Sequence, residues 1–192
     1  MPELVLASTS PYRRQLLERL GMPFRCEAPG VDEAAVKVRL RDPLAVASEL
    51  ARLKASTVAR RHPQAIVIGS DQVATEGGTL LDKPGTAIAA SAQLRRLANR
   101  EHRLHTAVAI AHQHGLVEFV DTAVLHMRPL SEAEITRYVA AESPLDCAGS
   151  YKIEGLGIAL FQRVECSDHT AITGLPLLRL AAELRALGVA IP

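Results

Sequence analysis

Ile66-Val67-Ile68 is a short, apolar, β-branched run that continues into Gly69-Ser70-Asp71-Gln72-Val73. Such a run reads as a buried strand, and it delivers an acid, Asp71, at its far end. A carboxylate leaving a buried strand is costly unless it is paired, hydrogen-bonded or metal-bound. Capping of a turn satisfies that need as well as a reactive site does, so this stretch alone leaves both readings open. The cations of the chain bear on the choice, because they fall where strands pass into helices.

Leu4 to Ala7 is a second short buried strand, and Ser8-Thr9-Ser10-Pro11 follows it. Ser10 suits an N-cap, Pro11 the first helical position and Gly21 the C-terminal cap. The helix between them carries Tyr12, Leu16, Leu17 and Leu20 on one broad face. Arg13 and Arg14 lie in its first turn, where the helix dipole prefers anions. Two arginines beside three hydroxyls at a helix N-terminus therefore point to an external anion. Phe24 to Ala28 reads as a strand, and Pro29 to Glu33 as a loop carrying Asp32 and Glu33. Leu44 to about Arg61 reads as a helix. At about 100° per residue, Lys54 falls inside its apolar stripe of Ala47, Leu50, Ala51, Ala55 and Val58. A lysine there either snorkels to water, the commoner outcome, or reaches into a site.

Glu76-Gly77-Gly78-Thr79 turns the strand back into Leu80-Leu81, and Lys83 follows in another turn. Thr86 caps a helix to about Leu97. Arg103 to Ala111 and Leu116 to Met127 read as an antiparallel pair. His112 and His114 share a face there without further ligands, as surface histidines do. Ser131 and Glu134 make a capping box for a helix to about Ala141. Lys152 and Glu154 stand among the glycines of Ala148 to Gly157, and Ile158 to Glu165 reads as a strand. A last helix runs from Pro176 through Leu187. Alternating strands and helices followed by an antiparallel pair predict an α/β domain with a mixed sheet.

Ser8, Arg13, Arg14, Glu33, Lys54, Asp71, Lys83, Lys152 and Glu154 collect the unusual positions. Cations at a helix N-terminus suit a polyphosphate, and acids suit a divalent ion with hard oxygen ligands, most naturally Mg²⁺. The pattern permits metal-assisted attack on a phosphoanhydride without identifying the substrate. It matches neither the phosphate-binding loop nor the dinucleotide fingerprint. A net charge of +1 and 3% aromatic residues disfavour a nucleic-acid surface. Three scattered cysteines form no metal or redox motif and point to a reducing compartment. Met1-Pro2-Glu3 shows no signal peptide, and no stretch approaches the roughly 20 apolar residues of a membrane span. A cytoplasmic protein is the expectation.

Leu6 to Arg14, Leu50 to Ala55, Gly69 to Val73, Asp82-Lys83-Pro84, Ser131 to Ile135 and Gly174-Leu175-Pro176 together resemble the Maf family of nucleotide pyrophosphatases. The resemblance covers residues 1–192 as a single Maf-like domain. It implies an elongated mixed β-sheet flanked by helices, with two lobes around a central cleft, as in inosine triphosphatase-like folds, and often a homodimer. It implies hydrolysis of a nucleoside triphosphate to the monophosphate and pyrophosphate, in a house-cleaning role. It assigns Asp71 as proton acceptor and metal ligand, with Glu33 as metal ligand or second acid. Mg²⁺ is the metal implied, with Mn²⁺ as the alternative. Ser8, Arg13, Arg14, Lys54, Lys83 and Lys152 are the implied phosphate-binding residues.

Gln72 after the acid, Pro144 to Ser150, and Lys152-Ile153-Glu154-Gly155 resemble the branch acting on 7-methyl-GTP. The branch acting on dTTP and UTP typically has Thr after the acid and Gln near position 154. Substrate specificity is thereby assigned to Tyr12, Gln72 and Glu154. An N7-methylated guanine is positively charged; Glu154 is expected to complement that charge or to accept the guanine edge N–H groups, and Tyr12 to offer a cation–π face. Two departures stand out. Tyr12 replaces the Trp commonest there, and Ala107 replaces a Gly expected after Thr106. The alternatives are a dTTP/UTP pyrophosphatase of the same family and a nucleotide-binding regulator of cell division and septum formation. An intact set of Asp71, Glu33 and Lys83 favours an enzyme, since a pure binder needs no general base.

Overall fold

A computed structural model describes residues 3–192; Met1 and Pro2, on which part of the N-terminal reading rests, lie outside the described residues. In chain order the elements are β1 (Leu4–Leu6), α1 (Pro11–Glu18), β2 (Arg25–Cys26), α2 (Glu33–Arg39), α3 (Pro43–Ala59), β3 (Ile66–Glu76) and β4 (Thr79–Leu81). They continue with α4 (Ala87–Leu97), β5 (Glu101–His112), β6 (Gly115–Met127), α5 (Glu132–Glu142), β7 (Phe161–Glu165) and α6 (Leu177–Ala186). The strands form one sheet in the order β2-β1-β3-β5-β6-β7, with β4 paired to β3. β1 runs parallel to β2 and β3, whereas β3–β4 and β6–β7 are antiparallel. The expected mixed α/β sheet is what forms.

The chain divides into two compact units, each assembled from separated segments. Among the described residues the first comprises 3–72, 105–121 and 168–192, and the second 73–104 and 122–167. In the first unit, Leu4, Leu6, Ile66 and Ile68 pack with Leu16 and Leu17 of α1 and with Leu175, Leu180 and Leu184 in and beside α6. Side chains alternate along a strand, so Val67 and Gly69 turn the other way, towards α3. A Cβ on Gly69 would run into the Ala51 carbonyl oxygen and lie 2.5 Å from the Ala55 nitrogen. The missing side chain therefore lets the backbone of α3 lie directly on β3.

Helix starts follow their capping chemistry. Ser10, Asp42, Thr86 and Ser131 each accept a hydrogen bond from a first-turn N–H, and Ser131 with Glu134 completes the expected capping box. Pro176 gives α6 no side-chain cap. Asp168 and Thr170 supply it from upstream: Leu178 N–H donates to Asp168 Oδ2 at 2.7 Å, and Leu177 N–H to Thr170 Oγ1 at 2.8 Å.

Three local expectations are corrected. The loop expected over Pro29 to Glu33 ends in a helix, α2, because Asp32 caps Ala35 N–H at 3.1 Å. Only Val36 of α2 is buried, so the segment carries almost no amphipathic signal. The strand expected from Ile158 begins at Phe161, because Leu156–Leu160 forms a 3₁₀ helix. Gly157 N–H closes onto the Lys152 carbonyl at 3.0 Å, and that turn prevents extension. His114 lies in the β5–β6 turn and donates its backbone N–H to His112 Nδ1, so the two histidines do not share a strand face. Among the described residues no helix is long and apolar enough to cross a membrane.

Candidate active site

β1 pairs with β3 only as far as Leu6 opposite Ile68, so Asp71 stands on β3 beyond the end of β1. Carboxyl ends of parallel strands are where open α/β sheets bind ligands. Asp71 shares the face of Gly69, and the close approach of α3 there places Lys54 over it. Lys54 Nζ lies 2.6 Å from Asp71 Oδ1 and 2.6 Å from Glu33 Oε1. Lys54 is 6% exposed, so it does not snorkel to water. Glu33 reaches the same ammonium from the first turn of α2, where the helix dipole favours an acid.

Burial pushes the Asp71 carboxyl up from its ordinary range; Lys54 and Arg13 oppose that rise and Glu33 adds to it. The Arg13 guanidinium is pulled down by burial, against the attraction of Asp71 and Glu33. Arg13, Glu33, Lys54 and Asp71 thus form one electrostatic group. A carboxylate held in a dry site with raised basicity is suited to accept a proton. Its neighbours are suited to hold an anion beside it.

The remaining expected residues divide. Ser8 is buried just after β1 and accepts Ser10 N–H at 3.1 Å, while Tyr12 is half-buried on α1. Arg14 is exposed and pairs with Glu18 one turn along at 2.9 Å. Gln72 faces away from Asp71, and its amide nitrogen lies 2.9 Å from Thr106 Oγ1 and from the carbonyls of Ala171 and Ile172. Lys83, Lys152 and Glu154 belong to the second unit. Lys83 and Glu154 are exposed, and Lys152 Nζ donates to the Glu142 carbonyl at 3.2 Å.

Sequence reasoning passed over Ser70, Gly69 and Gly174. Ser70 is fully buried, with its hydroxyl 3.0 Å from the Ala107 carbonyl and 2.9 Å from that of Gly174. A serine two residues from an apolar pair of the same strand face was the available signal. Asp168 was missed too; Asp-x-Thr ahead of a Pro-started helix is the pattern that marks it.

Two carboxylates, Asp71 and Glu33, converge on one ammonium. Among the described residues no group of three or more His, Cys, Asp or Glu is gathered to hold an ion. A two-carboxylate set fits Mg²⁺, which is usually held by one or two carboxylates plus substrate phosphates and water.

Comparison with known proteins gives this geometry a family. A protein named 7-methyl-GTP pyrophosphatase from Xanthomonas oryzae pv. oryzae (strain MAFF 311018) is 50% identical over 192 residues, covering 100% of both chains. One of the same name from Aromatoleum aromaticum is 50% identical, covering 99% of this chain and 98% of that protein. The fold is similar to that of the Staphylococcus aureus Ham1 protein, with a TM-score of 0.52 at 15% identity over 95% of this chain and 99% of that one. The family described as Maf-like protein matches residues 3–187; the chain belongs to the Maf-like protein family.

Proposed function

We propose that this protein is a nucleotide pyrophosphatase that hydrolyses 7-methyl-GTP to 7-methyl-GMP and pyrophosphate. The observation that carries the chemistry is the buried carboxylate of Asp71 against Lys54, with Arg13 beside it. Full-length identity to relatives bearing the 7-methyl-GTP pyrophosphatase name supports the substrate.

Water attacks the α-phosphorus, its proton passes to an Asp71 carboxylate oxygen, and the bond from the α-phosphorus to the α,β-bridging oxygen breaks. Pyrophosphate leaves with the bridging oxygen. Arg13 and Lys54 offset the charge that gathers on the phosphates, in a site where burial strengthens such interactions. Asp71 and Glu33 would hold a divalent cation, Mg²⁺ or Mn²⁺. When bound, that ion supplies neutralisation of the polyphosphate and Lewis-acid polarisation. As the family resemblance implies, the charge of Glu154 and the aromatic face of Tyr12 are the features proposed to favour the cationic ring. Gln72 acts through its oxygen or through the 171–172 backbone, because its amide nitrogen is engaged within the protein. Cys26 is an exposed free thiol and Cys166 is exposed and in no disulfide, which suits a cytoplasmic setting.

Pyrophosphate release is measured with Mg²⁺ over 7-methyl-GTP, GTP, dTTP, UTP and CTP. The expected result is preference for 7-methyl-GTP. Preference for dTTP and UTP retains Asp71 as base and removes the base-pocket assignment. Binding without release from any of them identifies a nucleotide-binding regulator.

A further inference from the structure

The Gly174 carbonyl oxygen accepts Arg13 Nε–H at 3.0 Å, and Ser70 Oγ, whose single proton is shared between this carbonyl at 2.9 Å and that of Ala107 at 3.0 Å, lies against it. A guanidinium is a rigid planar fork of five N–H donors. Fixing Nε on one carbonyl sets the orientation of the whole plane and leaves the terminal nitrogens for another partner. The acids whose charges act on Arg13 are Asp71 and Glu33, so its guanidinium lies near the proposed base.

The carbonyl is itself held in place. Gly174 takes φ +107°, a conformation that side chains rarely adopt, and a Cβ there would lie 3.3 Å from Arg13 Nε. Its N–H donates to the Ala171 carbonyl at 3.0 Å. Thr106 Oγ1 donates to that same Ala171 carbonyl at 2.8 Å, and the Gln72 amide nitrogen lies 2.9 Å from it. Ser70 and Gln72, two apart on one face of β3, thus fasten the 171–174 segment from below. An arginine held in its binding geometry before substrate arrives spends less rotamer freedom on binding.

We propose that Ser70 and Gly174 are positioning residues, which lock the Arg13 guanidinium so that its terminal nitrogens meet the polyphosphate of the substrate. This inference rests on the proposed function for the polyphosphate but not for the base.

The test is a double-mutant cycle of Ser70→Ala and Arg13→Lys, read in two ways: the Kd for inorganic pyrophosphate, and kcat and KM for 7-methyl-GTP. Lysine keeps a positive charge but has no Nε to anchor. The expected result is that Ser70→Ala weakens pyrophosphate binding about tenfold when Arg13 is present, as loss of a hydrogen bond steering a charged group does. In the Arg13→Lys background the same change costs less than about twofold. Ser70→Cys, whose thiol is a much weaker donor, follows the same pattern in smaller measure and serves if the alanine variant does not fold. Equal losses in both arginine and lysine backgrounds overturn the proposal, because Ser70 then acts on the fold alone. Wild type that fails to hold pyrophosphate overturns it too. Wild type that passes the pyrophosphate cycle yet leaves 7-methyl-GTP intact overturns the proposed function and not the lock.

Discussion

The two units bury polar groups in opposite ways. The first buries Lys54 and Asp71 as an ion pair, with Arg13 beside them. The second buries His102 and Tyr151 as a neutral pair, with His102 Nε2 2.8 Å from the Tyr151 hydroxyl. Phe161 closes over both, its ring centroid 4.8 Å from that of Tyr151 and 5.8 Å from that of His102. Burial drives His102 down to about 4 and pushes the Tyr151 phenol upward, so both stay uncharged near neutral pH. Buried ions rarely stabilise a fold better than apolar residues of the same volume would. The neutral pair is what a core tolerates. The ion pair holds a carboxylate in the charged form despite its burial, as the proton acceptor proposed for Asp71 needs.

The sharpest break in this comparison is Asp71→Asn, which keeps shape and removes basicity. Turnover is expected to fall by about 10³-fold or more, while pyrophosphate still binds. Turnover surviving in that variant assigns the base elsewhere.

Lys54→Met removes one ion and strands the other. Stability is expected to drop by up to about 3–5 kcal/mol near neutral pH, because the buried carboxylate loses its ion-pair partner and keeps only the charge of Arg13. With Lys54 gone the folded-state pKa of Asp71 rises further above its unfolded value. The protonated form then favours the native state, so the deficit shrinks as pH falls into the carboxyl range. Denaturant melts between neutral and mildly acid pH read this directly. A double variant, Lys54→Met with Asp71→Asn, is expected to recover most of the loss; no recovery means that Lys54 matters through packing.

The second unit should respond to pH with the reverse sign. His102 has a folded pKa of about 4, below the ordinary histidine value of 6.5. The unfolded chain binds the extra proton first, so the stability it contributes is complete above the unfolded pKa. That stability is lost as pH falls from about 6.5 towards 4, by on the order of 3 kcal/mol. A His102→Gln variant flattens this acid limb. An unchanged limb in the variant places the acid sensitivity elsewhere.

Smallest of all is Glu154→Gln. Glu154 is exposed in the second unit, and an exposed charge is worth up to about 1 kcal/mol, or roughly fivefold. Selectivity for 7-methyl-GTP over GTP is expected to drop by that factor with turnover of GTP unchanged. Constant selectivity discards the charge-complementarity account.

Much of this was legible from the chain. Caps at Ser10, Thr86 and Ser131 are local chemistry, written within a few residues, and the β3 run with its terminal acid is equally local. Helix α2 escaped because seven residues with one buried position carry no periodic signal. The strand expected from Ile158 failed because apolar residues there pack in a 3₁₀ turn closed by Gly157.

The amino-acid sequence by itself determined the alternation of elements, the acid at the end of a buried strand, and a lysine on the buried stripe of α3. Tertiary structure decided what those groups touch. Lys54 reaches Asp71 rather than water because Gly69 lets α3 lie against β3. Arg13 turns to Gly174 while Arg14, its neighbour, turns to Glu18, a choice set by which face of α1 meets the protein. Neither choice is encoded in spacing along the chain, since hydrogen bonds between residues 161 positions apart exist only once the sheet and its helices have closed.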